Sequence, residues 1–334
     1  MRSVMMLAVL ASVLVLGLAA CSPLAVLNGA VPDDASRVVS GVAYGDSPRQ
    51  QLDIYAPPGV SRPPVVVFFY GGSWRNGSRA DYKFVGDALA SRGIMAVIAD
   101  YRLYPDVSYP DFVDDSARAV AWTLQHIANY GGDPAEVFVA GHSAGGYNAA
   151  MVALDARWLA RFGASPAMLR GWIGMAGPYN FLPIVARSLK PVFHFPGTPA
   201  DSQPIAHVSA AAPPALLMVG MADTTVDPEL NTERLAAALR AAHAPVDVVR
   251  YDRLGHALLA GALARPLRWR APVLDDLTAF VWQTARAGQG DRAGQSDRAA
   301  QSDRAAQADP SDPTGQAATS DRGPSQAAAA RSQP

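Results

Sequence analysis

The chain has 334 residues, half of them hydrophobic and 17% charged, with 28 basic and 29 acidic side chains. That composition suits a globular protein with a large core, and the near-neutral balance offers no basic excess for a nucleic-acid partner. One cysteine excludes an intramolecular disulfide, and six scattered histidines without an HxH or HExxH pair argue against a dedicated metal site.

Residues 1–20, MRSVMMLAVLASVLVLGLAA, carry one early positive charge at Arg2, an apolar run and a small-residue end. This is the layout of a secretory signal peptide. The run stops at Leu18-Ala19-Ala20-Cys21, which resembles the lipobox of bacterial lipoproteins. The resemblance implies cleavage before Cys21, acylation of its sulfur and new amino group, and anchorage in a bilayer of the cell envelope. Ser22 in place of Asp points to the outer membrane on the same resemblance; a simple cleaved signal and an uncleaved anchor are the other readings. Residues 21–35 are expected to be a linker, 36–285 a single catalytic domain, and 286–334 a tail.

Paired apolar runs at Val38–Tyr44 and Gln51–Tyr55, joined by Gly-Asp-Ser-Pro, predict two opening strands. Val65–Tyr70 is continuously apolar, as a strand buried on both faces should be. Ile94–Ala99, Val137–Ala140, Trp172–Ala176, Ala215–Gly220 and Val246–Tyr251 are the next strands. Between them Lys83–Ser91, Phe112–Asn129, Ala144–Leu154, Pro228–Ala242 and Leu274–Ala285 read as helices. Such alternation predicts an α/β fold with a mostly parallel, eight-stranded sheet and helices on both faces. Phe181 to Pro214, rich in Pro and aromatics, suits a small cap. After Trp282 the large apolar residues stop, and Gln289, Gln295, Gln301 and Gln307 recur every six residues. That period buries neither a helix nor a strand face, so a disordered tail is expected.

The strongest chemical signal is Gly141-His142-Ser143-Ala144-Gly145-Gly146, between the strand ending at Ala140 and the helix running to Leu154. A serine on a sharp strand-to-helix turn needs small neighbours, and the helix N-terminus offers free N–H groups to a developing oxyanion. A hydroxyl also needs a base, and the base an orienting acid. Asp223 follows the strand Ala215–Gly220 and His256 follows Val246–Tyr251, both at strand ends where ligands gather in open sheets. Asp227 is the rival acid and Asp252 a turn residue. His142 is expected to pack beside the serine; His194 and His207 fall in the cap. Strand Val65–Tyr70 runs into Gly71-Gly72-Ser73-Trp74, so the amides of Gly72, Ser73 and Ala144 are the expected oxyanion donors. Trp74 and Tyr147 are candidates for the substrate pocket, with aromatic core packing the equal alternative.

Tyr70-Gly71-Gly72-Ser73-Trp74, Asp100-Tyr101-Arg102-Leu103 with Pro105, and Gly141 to Gly146 together resemble the carboxylesterase branch of the α/β-hydrolases. That branch includes hormone-sensitive-lipase-like, feruloyl-esterase-like and kynurenine-formamidase-like proteins. The resemblance implies a cofactor-free serine esterase acting on a small ester. An amide hydrolase on the same machinery, or a non-catalytic envelope lipoprotein, are the alternatives. The family's oxyanion motif begins with His, and here that position is Tyr70; prenylcysteine-methylesterase-like relatives also lack the His.

Overall fold

A computed structural model describes residues 23–32 and 36–288. The signal segment, Cys21 and nearly all of the expected tail lie outside the described residues. Strands β1 (Arg37–Ala43), β2 (Gln51–Ala56), β3 (Val65–Phe69), β4 (Met95–Ala99), β5 (Val137–His142), β6 (Gly171–Met175), β7 (Ala215–Gly220) and β8 (Val246–Tyr251) form one sheet. Its order is β1-β2-β4-β3-β5-β6-β7-β8. β1 and β2 pair antiparallel, as do β2 and β4, and all other neighbours are parallel. The β1–β2 register shifts between Val39 and Val42, where Gly41 takes a positive φ of 70° and donates its N–H to Asp53. A left-handed glycine is what such a bulge requires.

Every residue of β3, β4 and β5 is buried. Successive side chains point to opposite faces, so burial of all of them means that both faces are covered. Helices α1 (Pro23–Gly29), α2 (Lys83–Ala90), α3 (Asp111–His126), α4 (Ala144–Leu154), α5 (Ala156–Ala160), α6 (Arg234–Ala241) and α7 (His256–Gly261), with helical residues 273–288, complete the layers. All eleven residues of α4 are buried, and its first residues are Ala, Gly and Gly, which let it lie close to the sheet.

The expected strands and main helices are all present, within two residues at most of their strand ends. Three departures have local causes. The helix expected over Phe112–Asn129 leaves α geometry at His126, tightens to a 3₁₀ turn over Ile127–Tyr130, and stops at Gly131 with φ 92°. The stretch Pro228–Ala242 opens as a π turn over Glu229–Glu233 before α6 begins. The span expected to be a linker holds α1, which the Asn28 side chain fastens by donating to Ala80 O and accepting from Phe84 N.

From β3 the chain crosses to β4 on one side and then to β5 on the other. The carboxyl ends of β3 and β5 therefore border a topological switch point, with Phe69 opposite Gly141. Segment 181–214, the expected cap, contains only 3₁₀ turns at Ala200–Ser202 and Pro204–His207, and its Val192 and Phe193 are buried.

Candidate active site

Ser143 stands between β5 and α4 with φ 56° and ψ −123°, a strained conformation for a residue with a side chain. Its N–H donates to Met175 O at 2.9 Å, which ties the turn to the neighbouring strand. The surrounding glycines are required by contact distances. A Cβ on Gly141 would lie 2.1 Å from Gly145 O, and one on Gly145 would lie 2.0 Å from Phe69 O.

The imidazole of His256 bridges the serine and an acid. Its Nε2 is 2.8 Å from Ser143 Oγ, and its Nδ1 is 2.7 Å from Asp223 Oδ2. The two loops are stitched together behind this contact: Met221 N donates to Tyr251 O and Ala222 N to Leu254 O. Gly220 permits that approach, since a Cβ there would meet Leu254 O at 2.2 Å. Asp223 Oδ1 accepts from Thr225 N at 2.7 Å and Val226 N at 2.9 Å. Burial opposes its ionisation, but the His256 hydrogen bond, the Val226 and Thr225 amides and the imidazole's charge outweigh it. The carboxyl is thereby held below its usual range. Asp223 is thus the acid partner of His256. Asp227 instead accepts from Leu230 N, and Asp252 is exposed on the turn.

Gly72, Ser73 and Trp74 follow β3 with positive φ of 131°, 55° and 57°. A Cβ on Gly72 would fall 2.1 Å from Asn76 O, and Gly72 O accepts from both Arg75 N and Asn76 N. Among the described residues, no hydrogen bond engages the N–H of Gly72, Ser73 or Ala144. These three amides are available beside Ser143. Tyr70, at the position where His was expected, is fully buried and stacked between Tyr82 and Tyr101. Its hydroxyl donates to Asp100 Oδ1 at 2.8 Å and accepts from Arg49 Nη2 at 2.7 Å. Arg49 also donates to Gly77 O, and Asp100 also holds Arg79, so Tyr70 orders the same loop by a different network.

His142 packs against His256 with ring centroids 4.8 Å apart, and its Nε2–H donates to His256 O at 3.0 Å. Burial, with the neighbouring His256 charge, pushes its pKa down to about 3, so the ring is neutral. His194 donates to Tyr109 O and His207 to Asp201 O. Both are fastened to backbone, and neither borders the cavity beside Ser143.

That cavity measures about 540 Å³ and runs from Ser73, Ser143 and Ala144 under Phe181, Ile184, Val185, Leu189 and Leu230. Trp74 borders it as expected, held by an Nε1–H bond to Asn148. Tyr147 does not. Its ring is fully buried among Trp74, Phe112, Phe181 and Phe193, and its hydroxyl donates to Ser202 O, so it is a core residue. A second cavity of about 280 Å³ lies on the other side of Ser143, against His256 and Gly71. Among the described residues no His, Cys, Asp or Glu cluster is suited to hold a metal.

Residues that the sequence did not reveal include Asn231, whose Oδ1 accepts from Tyr179 N and Asn180 N while Nδ2 donates to Asp227 O. No local motif marks it; only the fold brings it beside the chain leaving β6.

A family model described as BD-FAE matches residues 52–170. Arabidopsis thaliana has a probable isoprenylcysteine alpha-carbonyl methylesterase that is 30% identical over 239 residues, covering 64% of this chain and 50% of its own. Esterase LipC of Mycobacterium tuberculosis is 31% identical over 250 residues, covering 67% of this chain and 61% of its own. The chain spans about half the length of the first of these curated relatives. Among solved structures, the apo form of Thermogutta terrifontis esterase 2 matches with a TM-score of 0.63 and 26% identity, over 75% of this chain and 96% of that one. The chain has the α/β-hydrolase fold and is similar to carboxylesterases of that fold. Its motif-bearing half lies within the matched span 52–170, and Asp223 and His256 lie beyond it.

Proposed function

We propose that this hydrolase cleaves carboxylic esters by way of an acyl-enzyme on Ser143. The observation that carries the reading is the relay from Ser143 Oγ through His256 to Asp223, at 2.8 and 2.7 Å, beside amides with no acceptor among the described residues. His256 Nε2 takes the hydroxyl proton as Oγ adds to the carbonyl carbon. The amides of Gly72, Ser73 and Ala144 receive the oxyanion, each contributing about two to three powers of ten in rate. His256 then hands its proton to the departing alkoxide, and a water deprotonated by the same nitrogen releases the acid. Asp223 keeps the imidazole oriented and supports its charge.

The names of the relatives favour an ester over an amide, since each is called an esterase or a methylesterase. Thermogutta terrifontis esterase 2 has also been solved phosphonylated by sarin, which supports a phosphonylating probe as the first reagent. The test exposes protein beginning after Cys21 to a fluorophosphonate and to p-nitrophenyl esters, beside Ser143→Ala. Labelling and turnover that disappear in the variant support the reading; neither, in folded wild type, refutes it.

Placement in the cell envelope through an acylated Cys21 is part of the same proposal, supported by Leu18-Ala19-Ala20-Cys21 alone. Incorporation of a palmitate analogue that is lost in Cys21→Ala tests it.

A further inference from the structure

Two cavities meet at the nucleophile. Ser73, Ser143 and Thr225 border both, so they form the ridge between them. Ala144 borders only the larger one, and His256 only the smaller. This asymmetry assigns the two halves of a substrate. In the tetrahedral adduct the oxyanion faces the amides of Gly72, Ser73 and Ala144. The departing oxygen must come within reach of His256 Nε2, because that nitrogen supplies its proton. The alcohol therefore extends into the cavity that His256 lines, and the acyl chain is left with the other.

The two cavities differ in size and in what walls them. Ile184, Val185, Leu189 and Leu230, from the cap and the turn before α6, give the larger cavity of about 540 Å³ its apolar side chains, with Asp227, Asn231 and Arg234 also on its wall. The smaller cavity, about 280 Å³, is closed on one side by Gly71, Gly72, Asn76 and Gly77 and elsewhere by Tyr82, His142 and Leu24. It cannot deepen there: Gly72 is already against Asn76 O, and Gly77 is against the ring of Tyr70. Its outer wall is Leu24 of α1, a helix fastened by Asn28 to Ala80 and Phe84.

We infer that this hydrolase selects esters of a bulky apolar acid with a short alcohol, the acyl chain lying under the cap and the alcohol between His256 and Leu24. The inference rests on the ester-hydrolase reading. As the acyl carbon–oxygen bond breaks, the proton carried by His256 passes to the alcohol oxygen. The alcohol departs past Leu24, and water enters by the same route to cleave the Ser143 ester. Burial of each further methylene in the larger cavity discriminates by about fourfold, whereas the smaller cavity, closed by Gly72 and Gly77, has no depth for a long alcohol.

The test measures acid release from methyl butyrate, methyl octanoate and octyl butyrate by pH-stat, with fluorophosphonate labelling of Ser143 in parallel. The expected kcat/KM for methyl octanoate exceeds that for methyl butyrate by about tenfold or more, while octyl butyrate is no better than methyl butyrate. Leu230→Trp should reduce the octanoate-to-butyrate ratio, and Leu24→Ala should raise octyl butyrate relative to methyl butyrate. Labelled, active enzyme that gains from the longer alcohol instead of the longer acid overturns the assignment alone. So does labelled, active enzyme indifferent to both. Folded protein that is neither labelled nor active overturns the hydrolase reading, and the assignment with it.

Discussion

The ring of His142 donates its Nε2–H to the main-chain carbonyl of His256 at 3.0 Å, so the residue before Ser143 holds the backbone of His256. The bond is made by a buried, neutral imidazole whose pKa is pushed down to about 3 by burial and by the His256 charge. Stability therefore depends on pH through this ring. In the unfolded chain it takes up a proton at about pH 6.5, whereas the folded chain resists protonation until near 3. Its contribution is complete above the unfolded value and declines as pH falls between the two. Between pH 6.5 and 5 the decline is about 2 kcal/mol. Asp223, held below the usual carboxylate range, adds its loss only below about pH 4, where the unfolded acid begins to protonate. Urea denaturation at pH 7.5 and 5.0 should show the drop in wild type and a smaller one in His142→Gln. Equal drops would mean that the ring does not titrate between the states.

Asp223 and Asp227 are separated by one turn, yet only the first reaches the imidazole. Asp223→Asn should lower kcat by about four powers of ten, because the amide cannot fix the required tautomer or support the imidazolium. Asp227→Asn should leave kcat within a few fold, since its side chain serves the Leu230 amide. Single-turnover acylation with a p-nitrophenyl ester separates the two. A comparable loss in both variants would show that the loop, and not the carboxylate of Asp223, is what matters.

Gly145→Ala should be more damaging than its size suggests. Its Cβ would lie 2.0 Å from Phe69 O and 2.6 Å from Tyr70 O, both main-chain atoms of the segment leading to Ser73. That segment must shift, which moves the Ser73 amide away from that of Ala144. The expected result is a destabilisation of about 1–3 kcal/mol and a fall in kcat of about a hundredfold or more. Thermal melting and the rate of fluorophosphonate labelling report the two effects separately.

The sequence made the sheet legible because its central strands are buried on both faces, and β-branched runs such as Val65-Val66-Val67 have few other uses. The elbow was legible because small residues cluster where a turn forbids large ones. What could not be read depends on contacts remote in sequence. α1 looked like a linker because Asn28, whose side chain fastens it, binds residues 52 and 56 positions away. Tyr147 was open to pocket or core, and only the rotation of α4 decides for the aromatic core. His256 opens α7, and no periodicity announced so short a helix. The cavity walls from Phe181 to Leu189 lack regular structure, so no pattern could foretell which side chains would face Ser143.

Tyr70 replaces the family's histidine with a phenol that spans Arg49 and Asp100. Burial and the Asp100 charge push its pKa far up, so the hydroxyl remains a donor at any working pH. Tyr70→Phe should destabilise by about 1–3 kcal/mol, because the buried Asp100 and the half-buried Arg49 lose their bond to the phenol. The loop keeps the bonds from Arg75 N and Asn76 N to Gly72 O, so kcat should fall less than tenfold. Thermal melting with parallel ester kinetics checks the pair of values; an unchanged melting temperature would show that water replaces the phenol.

Asn231 links two walls of the acyl cavity. Its carbonyl oxygen accepts from Tyr179 N at 2.8 Å and Asn180 N at 3.0 Å, where the chain leaves β6 for the cap, and its amide donates to Asp227 O at 3.0 Å. Asn231→Leu, similar in volume, leaves all three main-chain groups without this partner. Stability should fall by about 1–3 kcal/mol. A residue that only stabilised the fold would leave the kinetics of the remaining folded enzyme unchanged. Here the cap entrance itself is released, while the Ser143–His256–Asp223 contacts are untouched. KM for p-nitrophenyl octanoate should therefore rise by about tenfold with kcat altered little, and the acetate ester should be nearly indifferent. Equal effects on both esters would place Asn231 in the scaffold of the catalytic loops and not in the wall of the acyl cavity.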